Sequence, residues 1–124
     1  MVGKIGTAKT TVSDKNTAKT VGSGSLNVFS TPMMIALMEE AACDALADSL
    51  ESGQTSVGTK VNILHLAAST LGKEITASAT VDSVDGKKVS FTVQAFDGDT
   101  EIGKGTHDRF IVDAEKFMNK LEGR

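Results

Sequence analysis

One segment of this 124-residue chain limits its fold more than any other. Residues 31 to about 50 (TPMMIALMEEAACDALADSL) form a single strong helix-forming run, and almost everything after it alternates with a period of two. Thr31-Pro32 is a start signal, because Thr can cap the first free N–H groups and Pro is tolerated in the first turn. Ser30 is the rival cap. The body is rich in Ala, Leu, Met and Glu, all good helix formers, and Gly53 follows where a stop is needed. Four strands are expected downstream: Thr55–Leu66, a second around Ile75–Asp82, a third around Val89–Ala95, and Ile102–Val112. Asp85-Gly86 and Asp97–Thr100 mark tight turns, and Gly103 and Gly105 mark a bulge or a close backbone approach. Ahead of the helix, Gly3–Val12 reads as a modest strand anchored by Ile5, and Val21–Leu26 (VGSGSL) as a Gly/Ser loop. Asp113–Leu121 reads as a short terminal helix.

The expected order is therefore strand, long helix, then four strands in an antiparallel meander. One helix cannot cover five strands of small side chains unless the sheet curls around it. The helix is apolar on more than one side, as a wrapped helix should be. This predicts a single α+β domain over residues 1–124, with a five-stranded antiparallel sheet wrapped around one long central helix and a short C-terminal helix.

Projected at roughly 100° per residue, Glu40, Asp44, Asp48 and Glu51 share one solvated stripe. Glu39 lies roughly 135° from it, with Ile35, Ala42, Leu46 and Leu50 as its helical neighbours. A carboxylate on that side is partly desolvated, which favours its neutral form and makes a better base. The competing reading is a Glu at the helix edge whose stem reaches water. His65 shares strand parity with Val57, Val61 and Ile63, which should face the helix, so it is expected on the same inward side as Glu39; an imidazole beside a carboxylate is a common acid–base pairing. A core histidine bonded to a carbonyl is the alternative. Thr31 is a cap, a nucleophile or a substrate-holding hydroxyl. Backbone N–H groups of Thr31, Met33 or Met34 could hold an oxyanion; Pro32 has none to give. Thr31 and Glu39, eight residues apart, differ by roughly 12 Å in height on one straight helix, so a site using both needs a bend at Thr31 or two subunits.

Composition removes several function classes. The net charge of −3 argues against a nucleic-acid or anionic-membrane partner, and the absence of Trp and Tyr weakens base stacking. One cysteine and two histidines make a structural zinc site improbable, and no metal is expected. Cys43, without a possible partner, fits a reducing compartment and reads as a small core hydrophobe. No apolar run approaches the roughly 20 residues of a membrane span, and the N-terminus has no apolar signal region, so a cytoplasmic protein is expected.

Three separated segments carry a family likeness: Phe29–Ala42 (FSTPMMIALMEEAA); Gly58-Thr59 followed by Val61–Ala68 (VNILHLAA); and Glu101–Arg109 (EIGKGTHDR) followed by Glu115-Lys116-Phe117. In this order they resemble the fluoroacetyl-CoA thioesterase-like branch of the hot-dog thioesterases. The resemblance implies a hot-dog fold and hydrolysis of a thioester of coenzyme A to a carboxylate and free CoA. It implies a catalytic set of Thr31, Glu39 and His65, no cofactor beyond the CoA of the substrate, and a homodimer or dimer of dimers with sites between subunits. Candidate substrate-binding residues are Met33, Met34, Gly58 and Arg109. Met33 and Met34 would line the core or an acyl tunnel. Arg109 and His107 would reach the CoA phosphates or form an ion pair on a solvated strand face. Lys60, Lys73 and Lys104 are further candidates. Two departures bear on substrate. Pro32 follows Thr31 where the fluoroacetyl-specific enzyme has Gly, and the aromatic-rich insertion ahead of the helix is missing or shortened, Thr17–Leu26 being short and polar. A non-catalytic acyl-CoA-binding domain and a hot-dog dehydratase are the rival readings.

Overall fold

The computed structural model describes all of residues 1–124. Strand β1 (Ile5–Thr11) leads into a four-residue helix α1 (Ala18–Val21), then the long helix α2 (Thr31–Leu46), which ends in a 3-10 turn over Ala47–Ser49. Strands β2 (Gln54–His65), β3 (Glu74–Asp85), β4 (Lys88–Asp97) and β5 (Thr100–Asp113) follow, and helix α3 (Ala114–Glu122) closes the chain. The five strands form one antiparallel sheet in the order β1-β3-β4-β5-β2, curled around α2.

The expected meander holds only for β3, β4 and β5. β2 pairs with β5 and not with its successor β3, so the chain crosses from one sheet edge to the middle after His65. The pattern of each strand fixes its faces but not its neighbour, and so the order was hidden. α1 was not anticipated: Thr17 caps it by accepting from the Thr20 N–H, and Gly22 ends it in the left-handed conformation that only glycine adopts freely.

The helix lies close to the sheet because both surfaces are built of small residues. Ala41, Ala42 and Ala45 of α2 are fully buried, as are Ala77, Ala79 and Ala95 of β3 and β4. At β1 the approach is closest. A side chain at Gly6 would collide with the α2 backbone at Ala41 and Ala45, so the helix rests directly on a glycine. The predicted anchor of that strand, Ile5, is instead exposed, its parity taken by the opposite face; Ala8 and Gly6 point inward. Larger side chains, among them Phe29, Met34, Met38, Phe91, Val89 and Ile111, complete the buried core. Cys43, expected inside, is exposed.

β2 is an edge strand with an irregularity. Its register with β5 shifts between Gly58 and Lys60, so Thr59 is an extra residue. Ser56 and Gly58 before the bulge, and Val61, Ile63 and His65 after it, stand opposite inward-facing β5 positions. Val57 therefore belongs to the other face, and the parity assumed across the whole strand fails at the bulge. A one-residue insertion inverts every side chain beyond it.

Candidate active site

The start of α2 places the first reactive group. Ser30, not Thr31, is the N-cap: its Oγ accepts from the Met33 N–H at 3.3 Å, and its carbonyl accepts from the Met34 N–H. Thr31 is thereby released from capping, and its Oγ1 lies 2.7 Å from Nδ1 of His65 at the end of β2. Among the three candidate oxyanion donors, Met33 and Met34 are used by Ser30, which leaves the Thr31 N–H. The His65 ring is half-buried, and burial pushes its pKa below the ordinary 6.5, with the backbone of Ala67 partly offsetting the shift. Its Nε2 is buried without a well-formed hydrogen bond in its own chain.

Thr31 and His65 line a cleft of about 360 Å³ together with the apolar side chains of Ala18, Val28, Phe29, Leu66, Ala67 and Ala68. The segment ahead of α2 is pinned over this cleft. The Phe29 N–H donates to the Ser69 carbonyl, the Ser30 N–H to the Asn16 carbonyl, and the Asn16 side chain to the Thr11 carbonyl. The unanticipated α1 contributes Ala18 to the cleft wall.

Glu39 is not in this cleft. Two turns further along α2, its Oε2 accepts from Nη1 of Arg109 at 3.0 Å and lies 3.9 Å from Nε2 of His107. The imidazole nearest Glu39 is therefore His107, and the pairing with His65 expected from strand parity does not occur within one chain. Its side chain keeps 39% of its exposure and faces a cation, so it is neither a solvated edge residue nor a carboxylate in an apolar pocket. Gly58 belongs to the same cluster: a Cβ there would collide with Glu39 Oε2 and come within 3.3 Å of Arg109 Nη1 and His107 Cε1. The missing side chain lets the carboxylate lie against β2.

Arg109 and His107 are 6% and 1% exposed, so neither stands on a solvated strand face nor is free to reach a nucleotide phosphate. Arg109 is held on every side. Nε donates to Ser56 Oγ at 2.8 Å, Nη2 to the Ser56 carbonyl at 3.1 Å, and Nη1 to Glu39. Ser56 is the member of this cluster that sequence reasoning left without a site role; His107 was expected at the CoA phosphates and instead lies beside Glu39 and Arg109. Met34 is fully buried against Gly103, and Met33 lies in a separate groove with Lys9, Phe29 and Glu40; neither lines the Thr31–His65 cleft. Lys60, Lys73 and Lys104 are exposed. No group of three or more His, Cys, Asp or Glu side chains comes together that could hold a metal ion, and no helix is long and apolar enough to cross a membrane.

Comparison with known proteins gives this geometry a context. The model of the fluoroacetyl-CoA-specific thioesterase family matches residues 12–115. The fluoroacetyl-CoA thioesterase of Streptantibioticus cattleyicolor is 44% identical over 94 residues, covering 76% of this chain and 68% of that protein. Among solved structures, a Phe→Ala variant of a fluoroacetyl-CoA-specific thioesterase superposes with a TM-score of 0.92 at 36% identity, over 99% of this chain and 96% of that one. A hot-dog-like protein of Thermanaerovibrio acidaminovorans superposes with a TM-score of 0.89 at 28% identity, over 99% and 91%. The predicted fold, a five-stranded antiparallel sheet around one long helix, is that of these hot-dog proteins.

Proposed function

The chain belongs to the fluoroacetyl-CoA-specific thioesterase family, and from that premise we propose how it cleaves its substrate. It is an acyl-CoA thioester hydrolase: an acyl-CoA and water give a carboxylic acid and free CoA. This displaces the non-catalytic and dehydratase readings. The observation that carries the mechanism is the 2.7 Å contact between the Thr31 hydroxyl and His65 Nδ1, a nucleophile within hydrogen-bond reach of a base.

Burial keeps the His65 ring neutral near pH 7, so Nδ1 is free to accept the Thr31 proton. The Thr31 oxygen attacks the thioester carbonyl, whose developing negative charge is met by the Thr31 N–H at the positive end of α2. CoA leaves as its thiol, taking the proton from His65. Water then hydrolyses the Thr31 ester, and Glu39 acts on that water. The cleft beside Thr31, walled by Ala18, Val28, Ala67 and Ala68, suits a short apolar acyl chain. The Streptantibioticus relative acts on fluoroacetyl-CoA; the polar Thr17–Leu26 segment of this chain argues for a different acyl group here. The reaction needs no cofactor beyond the CoA of the substrate. A cytoplasmic setting fits it, since Cys43 has no disulfide partner.

One copy leaves the site unfinished, because Glu39 and Thr31 stand roughly 12 Å apart along α2. The working unit is a homodimer formed through β2. This twelve-residue strand is paired only on its β5 side and exposes Val61 and Leu64, an open edge that invites pairing. Two β2 strands paired antiparallel about a two-fold axis near Val61 bring the Gly58 end of one copy beside the His65 end of the other. Gly58, with Glu39 and Arg109 beneath it, then faces His65 and Thr31 of the second copy. In this role Gly58 and Arg109 shape and hold the carboxylate side of the substrate site, while Met33 and Met34 support α2 behind it.

The test is hydrolysis of a panel of acyl-CoA esters, short, branched and aromatic, with acid-quenched mass spectrometry of the protein. Thr31→Ala should abolish turnover, and Glu39→Gln should accumulate the acyl group on Thr31. Turnover of Thr31→Ala at the wild-type rate would overturn the nucleophile assignment.

A further inference from the structure

The His107 ring is enclosed, and both of its nitrogens are spoken for. Nδ1 lies 2.7 Å from the Lys60 carbonyl, and Nε2 lies 3.2 Å from Arg109 Nη1. A carbonyl can only accept, so Nδ1 carries the proton. A guanidinium can only donate, so Nε2 is bare. The two neighbours together select the Nδ1–H tautomer. The ring plane is fixed as well, stacked on Phe91 with centroids 5.9 Å apart.

We propose that His107 is a positioning residue of the hydrolytic site, acting through Arg109 on Glu39. Lys60 is the first paired residue beyond the β2 bulge, so the Nδ1–H bond ties the ring to the point where Thr59 is extruded. On its other side the ring accepts from the same Nη1 that donates to Glu39. Arg109 is thus clamped between Ser56 and His107, and the second Nη1 hydrogen is aimed at one carboxylate oxygen of Glu39. A site that must receive groups from a second copy needs its own half held rigidly, because a loose carboxylate would lose the alignment that pairing supplies. Filling the space beside Phe91 would require only an apolar side chain; a fully enclosed imidazole there is retained for its two hydrogen bonds.

This inference rests on the reading of Glu39 as a participant in hydrolysis, and two substitutions of similar polarity test it. His107→Asn can still reach the Lys60 carbonyl but is too short to accept from Arg109. His107→Gln reaches the position of Nε2 and restores that acceptor. With the full-length protein, His107→Asn should lower kcat by about 10- to 100-fold with KM changed less than about 3-fold, while His107→Gln stays within about 3-fold of the wild type. Histidine-labelled 15N NMR should show the His107 Nε2 unprotonated at neutral pH. Equal kcat values for the Asn and Gln variants, or a proton on Nε2, would overturn the proposal. Glu39→Gln is run alongside: if it alone leaves turnover intact, the fault lies with the role of Glu39, whereas its inactivity beside a fully active His107→Asn places the fault with His107.

Discussion

The Thr31 hydroxyl and the His65 imidazole, 34 residues apart in sequence, meet at 2.7 Å because a different residue caps the helix. Ser30 satisfies the Met33 N–H, and the Thr31 side chain is left to turn toward β2. The division of labour is testable. Ser30→Ala should lower stability by about 1 kcal/mol through loss of the cap. Thr31→Ala and His65→Ala should each reduce kcat by about 10²- to 10⁴-fold with little change in melting temperature. Thermal melts alongside steady-state kinetics separate the two effects; a Thr31→Ala protein that melts early yet turns over normally would reverse the assignment.

The buried setting of His65 gives a sign to the pH dependence. Its pKa lies below the ordinary 6.5, so the neutral, proton-accepting ring persists into mildly acidic solution. The acid limb of kcat/KM is expected to have its midpoint below 6.5 and to disappear in His65→Gln measured with a residual-rate assay. The same shift acts on stability. Between the folded and unfolded pKa values the unfolded chain binds more protons, so the His65 contribution rises with pH and levels off above about 6.5. An acid limb centred above 7 would contradict the buried, neutral ring.

Separation of Thr31 from Glu39 along one helix predicts complementation. Thr31→Ala and Glu39→Gln should each be inactive alone. Mixed dimers of the two contain one site with both native residues, so refolding an equimolar mixture should restore roughly a quarter of wild-type activity. No recovery in a mixture shown by native mass spectrometry to contain the mixed dimer would place both residues in one copy's site.

Breaking the β2 edge tests the interface itself. Val61→Lys with Asn62→Lys sets like charges opposite one another across the proposed two-fold axis. The double variant should sediment as a folded monomer and lose turnover, with its far-UV circular dichroism retained. Full activity from that folded monomer would refute the two-copy site.

Two glycines next to α2 should respond in opposite ways to the same added methyl. At Gly6 the obstacle is helix backbone, which cannot yield, so Gly6→Ala should destabilise by about 1–3 kcal/mol. At Gly58 the obstacle is the end of the Glu39 side chain rather than backbone, so Gly58→Ala should fold with a nearly unchanged melting temperature and lose turnover as the carboxylate is pushed off Arg109. Denaturant melts and acyl-CoA assays on both variants distinguish the outcomes.

Helix α2, the strands, their turns and the wrapped architecture were legible in the residues because helix propensity, period-two alternation and Asp-Gly turns are local properties. The helix wheel also singled out Glu39, since its angular position depends only on α2. What sequence could not supply was anything that depends on which strand lies beside which. The pairing of β2 with β5 and the extra residue at Thr59 arise from contacts between segments some 50 residues apart, and together they bring His107, Arg109, Ser56 and Gly58 to Glu39 while sending His65 to Thr31. Local chemistry chose the elements and the reactive side chains; long-range strand register, which no single segment encodes, decided which of them face each other.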